Sequence, residues 1–272
     1  MGVIQAETLN KVTAESIKAM KRHGEKISAL TAYDFLMAKI LDSCGIDIIL
    51  IGDSAGNVIA GYETTLPVTV EEMLYHTRAV RNGVKRALVV LDMPFLSYQC
   101  GTDDAVWNAG LFLKTGAEAV KLEGGRPVAD IVQRLVGFGI PVMGHLGLTP
   151  QSINAFGSYQ VRGKEKNERE MILEDAKILE KAGVFSIVLE KIPAELALEV
   201  TKTVSVPTIG IGAGPDCDGQ ILVTHDMLGI NETFSPKFVR RYASIADTMR
   251  TAFKNYITDV KNGDFPSSTE SY

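Results

Sequence analysis

The chain alternates between short hydrophobic runs and longer amphipathic stretches. The runs are rich in Ile, Val, Leu and Gly and are nearly continuous, which is typical of parallel strands that are covered on both faces. We predict strands over residues 27–31, 46–52, 87–91, 119–122, 141–145, 186–189, 208–212 and 221–224. The stretches between them predict helices over 33–43, 70–82, 103–115, 128–137, 167–182 and 194–203.

This alternation predicts the fold class. Strands that alternate strictly with helices form a parallel sheet. Eight such units in 272 residues favour closure into an α/β fold, the (β/α)8 TIM barrel, which typically takes roughly 250 residues. A doubly wound open sheet is the alternative. We also expect an N-terminal arm or helix and a C-terminal helical extension over 234–262, in a single domain of residues 1–272 with a disordered tail at about 263–272.

Two predicted helices have polar residues at their starts. Thr69 and Glu72 have the spacing of a capping box, in which each side chain bonds the other residue's backbone N–H. Thr102 precedes Asp103 and Asp104, which places a hydrogen-bond acceptor and negative charge at a helix N-terminus. We therefore expect both helices to begin at these residues.

The loop after the fifth predicted strand is longer than the other connections. It covers residues 148–166, is polar and contains Gly157 and Gly163. Loops of this length in a compact domain are usually functional or disordered. We predict that this loop acts as a lid over the site.

Charge and cysteine content restrict the classes of partner and compartment. A net charge of −5 and a pI near 5.5 argue against nucleic acid, because phosphate binding needs a dense Lys/Arg surface. No run approaches the ~20 apolar residues of a membrane span, and residues 1–26 lack the apolar run of a signal peptide. Cys44, Cys100 and Cys217 have no metal-type spacing and are expected to be reduced thiols. We therefore expect a cytoplasmic protein without nucleic-acid or membrane partners.

Acidic residues end three consecutive predicted strands. Asp53, Asp92 and Glu123 follow the second, third and fourth strands. Because the carboxyl ends of the strands form the site in parallel α/β folds, we expect these carboxylates to lie around one point. Their mutual repulsion calls for a divalent cation, and ligation by oxygen alone favours Mg²⁺. The alternative is that each acid only caps the following helix.

Such a cation would chelate a 2-oxo acid and stabilise the enolate formed when a proton leaves the adjacent carbon. The base for that step is predicted to be Glu190, which ends the sixth strand outside the metal cluster. Lys121 points to the same face as Glu123, where it either neutralises the substrate carboxylate or pairs with an acid. His145 ends the fifth strand and has either a structural role or a polar role in the site.

Several sequence blocks, taken in order, resemble those of the ketopantoate hydroxymethyltransferase family. They are SALTAYD, LIGDSAGN, TTLPVTVEEM, YHTRAVRNG, LDMPFLSY, AVKLEGG, MGHLGLTPQSI and IGIGAGPDCDGQILVTHDMLG. The resemblance extends from about Ile27 to about Phe238 and is highly specific because so many blocks agree. It implies condensation of 3-methyl-2-oxobutanoate with 5,10-methylenetetrahydrofolate to give 2-dehydropantoate, the first committed step of pantothenate biosynthesis.

The resemblance also implies roles for individual residues. Asp53, Asp92 and Glu123 match the family's Mg²⁺-associated acids. Ser54 and Lys121 match positions that hold the 2-oxo acid, and Glu190 matches the proposed proton acceptor. Asp53, Asp92 and His145 are further candidates for substrate contact. The family is typically decameric, which implies a homo-oligomer, here a homodecamer.

Two other functions remain as alternatives. One is a Mg²⁺-dependent 2-oxo acid C–C lyase or mutase of the phosphoenolpyruvate mutase and isocitrate lyase type, which would use no folate. Such enzymes commonly carry a cysteine or an acid-rich loop after a barrel strand, and the sequence has no KKCGH-like segment. The other is a non-catalytic oligomeric scaffold whose acids only cap helices. Tetrahydrofolate-dependent turnover tests the first alternative, and Mg²⁺ binding tests the second.

Overall fold

The first unit of the protein is a closed barrel of eight parallel strands. The computed structural model describes residues 10–272. The strands pair in chain order, and the last closes on the first. Their bounds are β1 (Ile27–Thr31), β2 (Ile48–Ile51), β3 (Leu88–Asp92), β4 (Ala119–Glu123), β5 (Val142–Gly147), β6 (Ser186–Glu190), β7 (Thr208–Ile211) and β8 (Gly219–Leu222). The predicted (β/α)8 barrel is therefore confirmed, and the doubly wound open sheet is wrong.

The described residues also form helices, and those of the first unit precede or connect its strands. The helices are α1 (Ala14–His23), α2 (Phe35–Ser43), α3 (Ala55–Val58), α4 (Val70–Gly83), α5 (Thr102–Thr115), α6 (Ala129–Gly137), α7 (Ile153–Phe156), α8 (Lys166–Ala182), α9 (Ala194–Thr203), α10 (Thr224–Met227) and α11 (Ile245–Asn262). Among the described residues, none of these helices is both long and apolar enough to cross a membrane.

The strand residues divide between two buried clusters because successive side chains point to opposite faces. One cluster contains alternate residues of the strands, among them Leu50, Val90, Met143 and Val188, and fills the barrel interior. The residues between them, such as Ile49, Val89 and Ile187, belong to a larger cluster with side chains of α2, α4, α5, α6, α8 and α9. Most strands are thus covered on both faces, which explains the nearly continuous hydrophobic runs, whereas Ser28 of β1 and Gln220 of β8 are exposed.

The N-terminal helix closes the amino end of the barrel, as the expected N-terminal extension. Ile17 of α1 is fully buried in the interior cluster. Lys21 donates hydrogen bonds to the carbonyls of Thr201, Val204 and Val206, just before β7. Thr13 caps α1 by accepting a hydrogen bond from the backbone N–H of Ser16. The opposite, carboxyl end of the barrel is therefore the end left for a site.

Two of the boundaries that differ from the prediction have a clear local cause. β8 begins at Gly219 and ends at Leu222, two residues earlier than predicted, because Gly219 pairs with both Ile27 and Ile209 of the neighbouring strands. Helix α5 contains Thr102 as its first residue, and its N-cap is Gly101, which has no side chain. The capping role predicted for Thr102 is therefore wrong, whereas the capping box of Thr69 and Glu72 is confirmed.

The chain divides into two units, one ending at Leu222 and the other covering Val223–Tyr272. The second unit contains α10 and α11. The predicted helix over 234–262 is wrong in its first part, because α11 begins only at Ile245. The backbone N–H groups of Tyr242 and Ile245 donate instead to the carbonyls of Met227 and Leu228, which holds the preceding segment out of a helix. Residues 268–270 form a 3-10 turn.

Candidate active site

Polar residues continue the interior face of four neighbouring strands at their carboxyl ends. Asp92 follows Leu88 and Val90 at the same parity on β3, and Lys121 and Glu123 follow Ala119 on β4. His145 follows Met143 on β5, and Glu190 follows Val188 on β6. Because residues two apart share a face, the strands that fill the barrel with apolar side chains also direct these polar groups into its mouth.

Strand register brings the charged groups into pairs. Asp92 is the register partner of Lys121, and Lys121 Nζ lies 2.8 Å from Asp92 Oδ1. Glu123 is the register partner of His145, and His145 Nδ1 lies 3.5 Å from Glu123 Oε1 and 3.1 Å from Lys121 Nζ. All four side chains are 5% exposed or less. Pairing with an acid, one of the two roles that the sequence allowed for Lys121, is therefore present, and the acid is Asp92.

Asp53 and Ser54 reach the same group from the turn after β2. The backbone N–H of Asp53 donates to Asp92 Oδ2 over 3.1 Å. Ser54 Oγ lies 2.8 Å from the hydroxyl oxygen of Tyr33. Gly52 makes this turn possible, since a Cβ at that position would lie 2.6 Å from Ser54 Oγ. Asp53 does not cap α3. The N-cap of this helix is Ser54, and the Ser54 side chain makes no capping hydrogen bond.

Glu190 stands at the edge of this cluster. Its Oε2 lies 3.3 Å from His145 Nε2, although the two atoms are not aligned for a hydrogen bond. Its side chain is 17% exposed, against 3% for His145. Glu190 is therefore the most accessible of the four predicted site acids, and one histidine separates it from Lys121 and Glu123.

The structure adds Gln151 and Tyr98 to the site, neither of which was predicted. Gln151 lies in the 3-10 turn Pro150–Ser152 after β5, and Tyr98 lies in the loop after β3. Both are buried, and the Tyr98 hydroxyl donates a hydrogen bond to the side chain of Gln151. Gln151 donates to the side chain of Asp53, and Tyr98 accepts from the backbone N–H of Glu123. The only signal for them in the sequence is their position after the ends of strands. Gln and Tyr are not ionised near neutral pH, so a search for charged residues does not find them.

The electrostatics of the cluster follow from crowding acids in a buried site. Burial raises the pKa of Asp53, and the carboxylates of Asp92 and Glu123 raise it further. Burial also opposes the charged form of Lys121, but the three carboxylates outweigh it and raise the lysine's pKa. The pKa of Glu123 is lowered, because its contacts with His145 and Lys121 outweigh the effect of burial.

This donor set fits a divalent cation. Within residues 10–272, no three acidic, histidine or cysteine side chains converge closely enough to bind a metal as they stand. However, Glu123 Oε1 is buried and accepts no hydrogen bond, and like charges raise the pKa of Asp53. A buried carboxylate oxygen without a hydrogen bond and mutually repelling carboxylates are both costly, and a hard cation with oxygen ligands would compensate them.

The loop over residues 148–166 is partly built into the site. Leu148, Thr149 and Gln151 are buried, so its first residues are fixed against the barrel. Farther along, the backbone N–H of Arg162 donates to the carbonyl oxygen of Lys191 over 2.8 Å, and Lys191 Nζ contacts the carbonyl oxygen of Tyr159. The loop therefore reaches the residue that follows Glu190.

The fold and site define a (β/α)8-barrel protein with a buried carboxylate and lysine cluster at the carboxyl ends of its strands. The chain belongs to the ketopantoate hydroxymethyltransferase family, whose model matches residues 11–268. It is 56% identical to 3-methyl-2-oxobutanoate hydroxymethyltransferase of Syntrophus aciditrophicus (strain SB), over 96% of this chain and 97% of that protein. The corresponding protein of Pelodictyon phaeoclathratiforme (strain DSM 5477 / BU-1) is 58% identical, over 96% of both chains.

Solved structures with low sequence identity share the barrel. Phosphonopyruvate hydrolase in complex with oxalate and Mg²⁺ superposes with a TM-score of 0.63 at 13% identity, over 95% of this chain and 93% of that one. A 2,3-dimethylmalate lyase of the PEP mutase/isocitrate lyase superfamily superposes with a TM-score of 0.60 at 15% identity, over 95% and 91%. At this identity the likeness concerns the fold alone.

Proposed function

We propose that the protein transfers a hydroxymethyl group from 5,10-methylenetetrahydrofolate to 3-methyl-2-oxobutanoate, giving 2-dehydropantoate in the first committed step of pantothenate biosynthesis. The observation that carries the proposal is the cluster of three buried carboxylates, Asp53, Asp92 and Glu123, with Lys121 among them and Glu190 at the edge. Family membership at 56–58% identity supports the choice of reaction.

Asp53, Asp92 and Glu123 would hold one Mg²⁺, directly or through water. Their oxygen-only donor set suits this cation better than Zn²⁺, which favours nitrogen and sulfur ligands. When bound, the ion would polarise the carbonyl of a chelated 2-oxo acid and so acidify the adjacent C–H bond. Without it, three buried carboxylates face one lysine and one histidine, an imbalance that is expensive at low dielectric.

Lys121, Ser54 and His145 would position the 2-oxo acid, together with Asp53 and Asp92 around the ion. Lys121 Nζ is held 2.8 Å from Asp92, so its positive charge is fixed beside the metal acids, where a substrate carboxylate would lie. Ser54 presents a hydroxyl whose position is set by Tyr33. His145 contacts both Lys121 and Glu190 and would therefore link the substrate's carboxylate end to the base.

Glu190 would take the proton from C3 of the 2-oxo acid. It lies outside the three-acid cluster, keeps 17% of its side chain exposed and is not paired with Lys121, so its carboxylate is available as a base. The C3 electron pair would then form a bond to the methylene carbon, whose bond to a folate nitrogen breaks. Water then displaces the second folate nitrogen from that carbon, so that its oxygen forms the C–OH bond as the remaining C–N bond breaks. The proton that water releases and the proton taken from C3 go to the two folate nitrogens, and tetrahydrofolate leaves.

The protein is further proposed to act as a homo-oligomer, a homodecamer, in keeping with its family. Helix α11 supports an assembly because no residue of its 18 is buried. Its exposed apolar side chains are Met249, Phe253, Tyr256, Ile257 and Val260. A surface of this kind on one helix is typical of a face that another chain covers.

One assay tests the reaction. The protein is incubated with 3-methyl-2-oxobutanoate and 5,10-methylenetetrahydrofolate, with Mg²⁺ or with a chelator, and 2-dehydropantoate is measured by mass spectrometry. We expect product only when folate and Mg²⁺ are both present. Cleavage of 2,3-dimethylmalate without folate would favour the lyase alternative instead, and failure to bind Mg²⁺ would favour a scaffold. Light scattering of the same sample tests the decamer.

A further inference from the structure

One residue outside the charged cluster holds two of its carboxylates. Gln151, 7% exposed, donates from its side-chain Nε2 to Asp53 Oδ2 over 2.9 Å. Its backbone N–H donates to Glu123 Oε2 over the same distance. Asp53 follows β2 and Glu123 ends β4, so a single residue of the loop after β5 bridges acids from two separate strands. The second oxygen of Glu123, Oε1, is left without a hydrogen bond.

Tyr98 fixes the direction of the Gln151 amide. The Tyr98 hydroxyl accepts a hydrogen bond from the backbone N–H of Glu123 over 3.2 Å and donates to Gln151 Oε1 over 2.8 Å. On the other side, Gln151 Nε2 faces Asp53 Oδ2 and the carbonyl of Met93, at 2.9 and 3.0 Å. The carbonyl of Met93 can only accept, as can the ionised carboxylate of Asp53, so the amide has one satisfied orientation, with its nitrogen toward Asp53.

We propose that Gln151 is a positioning residue of the metal site, which fixes the carboxylates of Asp53 and Glu123 around the place where a divalent cation would bind, while Tyr98 helps to set the direction of its amide. This inference rests on the proposed function, since it concerns the same cation. Hydrogen bonds to ligating groups fix their orientation, and their loss typically costs about 10–100-fold in metal affinity. Gln151 occupies Oε2 of Glu123, and Oε1, which has no hydrogen bond and lies 3.5 Å from His145 Nδ1, would be the oxygen that turns to the ion.

A role limited to stability is the competing explanation. A buried amide with satisfied hydrogen bonds stabilises any fold, and its removal leaves unpaired partners. The two roles differ in what they affect: a positioning residue changes the affinity for the cation, whereas a purely structural residue changes only the unfolding transition. The test therefore measures metal affinity directly and separately from enzyme activity.

Mn²⁺, whose electron paramagnetic resonance signal falls on binding, serves as the probe with the full-length protein. Gln151→Met keeps the length of the side chain and the backbone N–H but removes the amide. We expect its Kd for Mn²⁺ to be about 10–100-fold weaker than that of the wild type. Gln133→Met, the same change at an exposed position of α6, is the control and should bind Mn²⁺ as the wild type does.

A second variant tests the role of the tyrosine. Tyr98→Phe keeps the ring and removes the hydroxyl, so the Gln151 amide loses the nearer of its two donors while Gln99 Nε2 remains 3.3 Å from Oε1, and we expect a smaller loss of Mn²⁺ affinity. Because Tyr98 acts largely through Gln151, the double variant should bind only slightly more weakly than Gln151→Met alone. Tyr75→Phe, at a tyrosine that is 64% exposed, is its control.

Wild-type Mn²⁺ affinity in Gln151→Met overturns the positioning role, whatever happens to its thermal stability. If Gln151→Met does not fold, Tyr98→Phe decides: wild-type affinity there overturns the proposal, and weakened affinity with a normal circular dichroism spectrum supports it. A wild-type protein that binds no Mn²⁺ overturns both this inference and the metal part of the proposed function. Wild-type binding that the variants leave unchanged overturns the positioning role alone.

Discussion

His145 Nε2 and Glu190 Oε2 lie 3.3 Å apart, and His145 is also the register partner of Glu123 on the neighbouring strand β4. The imidazole therefore separates the accessible carboxylate from the buried ones. Burial and the Lys121 ammonium lower the pKa of His145, but Glu123 and Glu190 outweigh them, so its pKa is raised. This arrangement places Glu190 beside the imidazole of His145, whereas Asp92 pairs with Lys121.

Glu190→Gln should abolish most of the catalysis without weakening substrate binding. The amide keeps the shape of the side chain but is not a base, so kcat should fall about 10²–10⁴-fold. Exchange of the C3 proton of 3-methyl-2-oxobutanoate in deuterated solvent, measured without folate, isolates the step. Glu195→Gln, at an exposed position of α9, is the control. Exchange at the wild-type rate would remove Glu190 as the base and leave His145 as the next candidate.

Asp53→Ala and Asp92→Ala should each weaken binding of the 2-oxo acid in the presence of Mg²⁺, because the substrate would chelate the same ion. Calorimetric titration with and without Mg²⁺ measures the effect. Asp130→Ala, on the exposed side of α6, should bind like the wild type. If both variants retained metal-dependent binding, or a bound structure placed these carboxylates beyond a water-bridged distance from the ion, the assignment would be wrong.

Lys121→Met should destabilise the protein by about 3–5 kcal/mol, the usual cost of leaving one member of a buried ion pair without its partner. The expected cause is Asp92, whose Oδ1 lies 2.8 Å from Lys121 Nζ. Urea unfolding measures the loss. The double variant Lys121→Met/Asp92→Asn removes the unpaired charge and should recover part of the stability. No recovery would mean that Asp92 is not the group left uncompensated.

Thr69→Ala should lower the free energy of unfolding by about 1 kcal/mol, because Thr69 accepts the backbone N–H of Glu72 at the start of α4. Thr102→Ala is the matched control, since Thr102 lies at the start of α5 without a capping hydrogen bond and its loss should be nearly neutral. Equal effects of the two substitutions in urea unfolding would show that helix capping is not what distinguishes them.

Saturating 2-oxo acid with Mg²⁺ should slow proteolysis in the loop over residues 148–166, if this loop closes as a lid. The region between Gly157 and Gly163 is the expected cleavage site, because both glycines adopt positive φ and Tyr159 and Gln160 between them are exposed, whereas Gln151 is buried. Cleavage at the exposed tail after Gly263 provides an internal control. An unchanged rate in the loop would argue against closure.

The sequence by itself determined the barrel and most of the charged site. The eight hydrophobic runs predicted eight strands because both faces of a parallel strand are buried, and the pattern records that burial directly. Asp92, Glu123 and Glu190 were identifiable because carboxylates that end apolar strands are costly without a purpose. The pairing of Lys121 with Asp92 could not be predicted. The alternation of residues along a strand tells which face a side chain is on, but not which side chain of the neighbouring strand it contacts.

Only the tertiary structure decided what surrounds the acids. Gln151 and Tyr98 meet although 53 positions separate them in the chain, because the loops after β3 and β5 converge over the same barrel mouth. Neutral side chains in irregular loops leave no periodic pattern, so long-range hydrogen bonds of this kind are invisible in sequence. The start of α11 at Ile245 was missed for a related reason: helical spacing of apolar residues continued upstream, but backbone hydrogen bonds to Met227 and Leu228 overrode it.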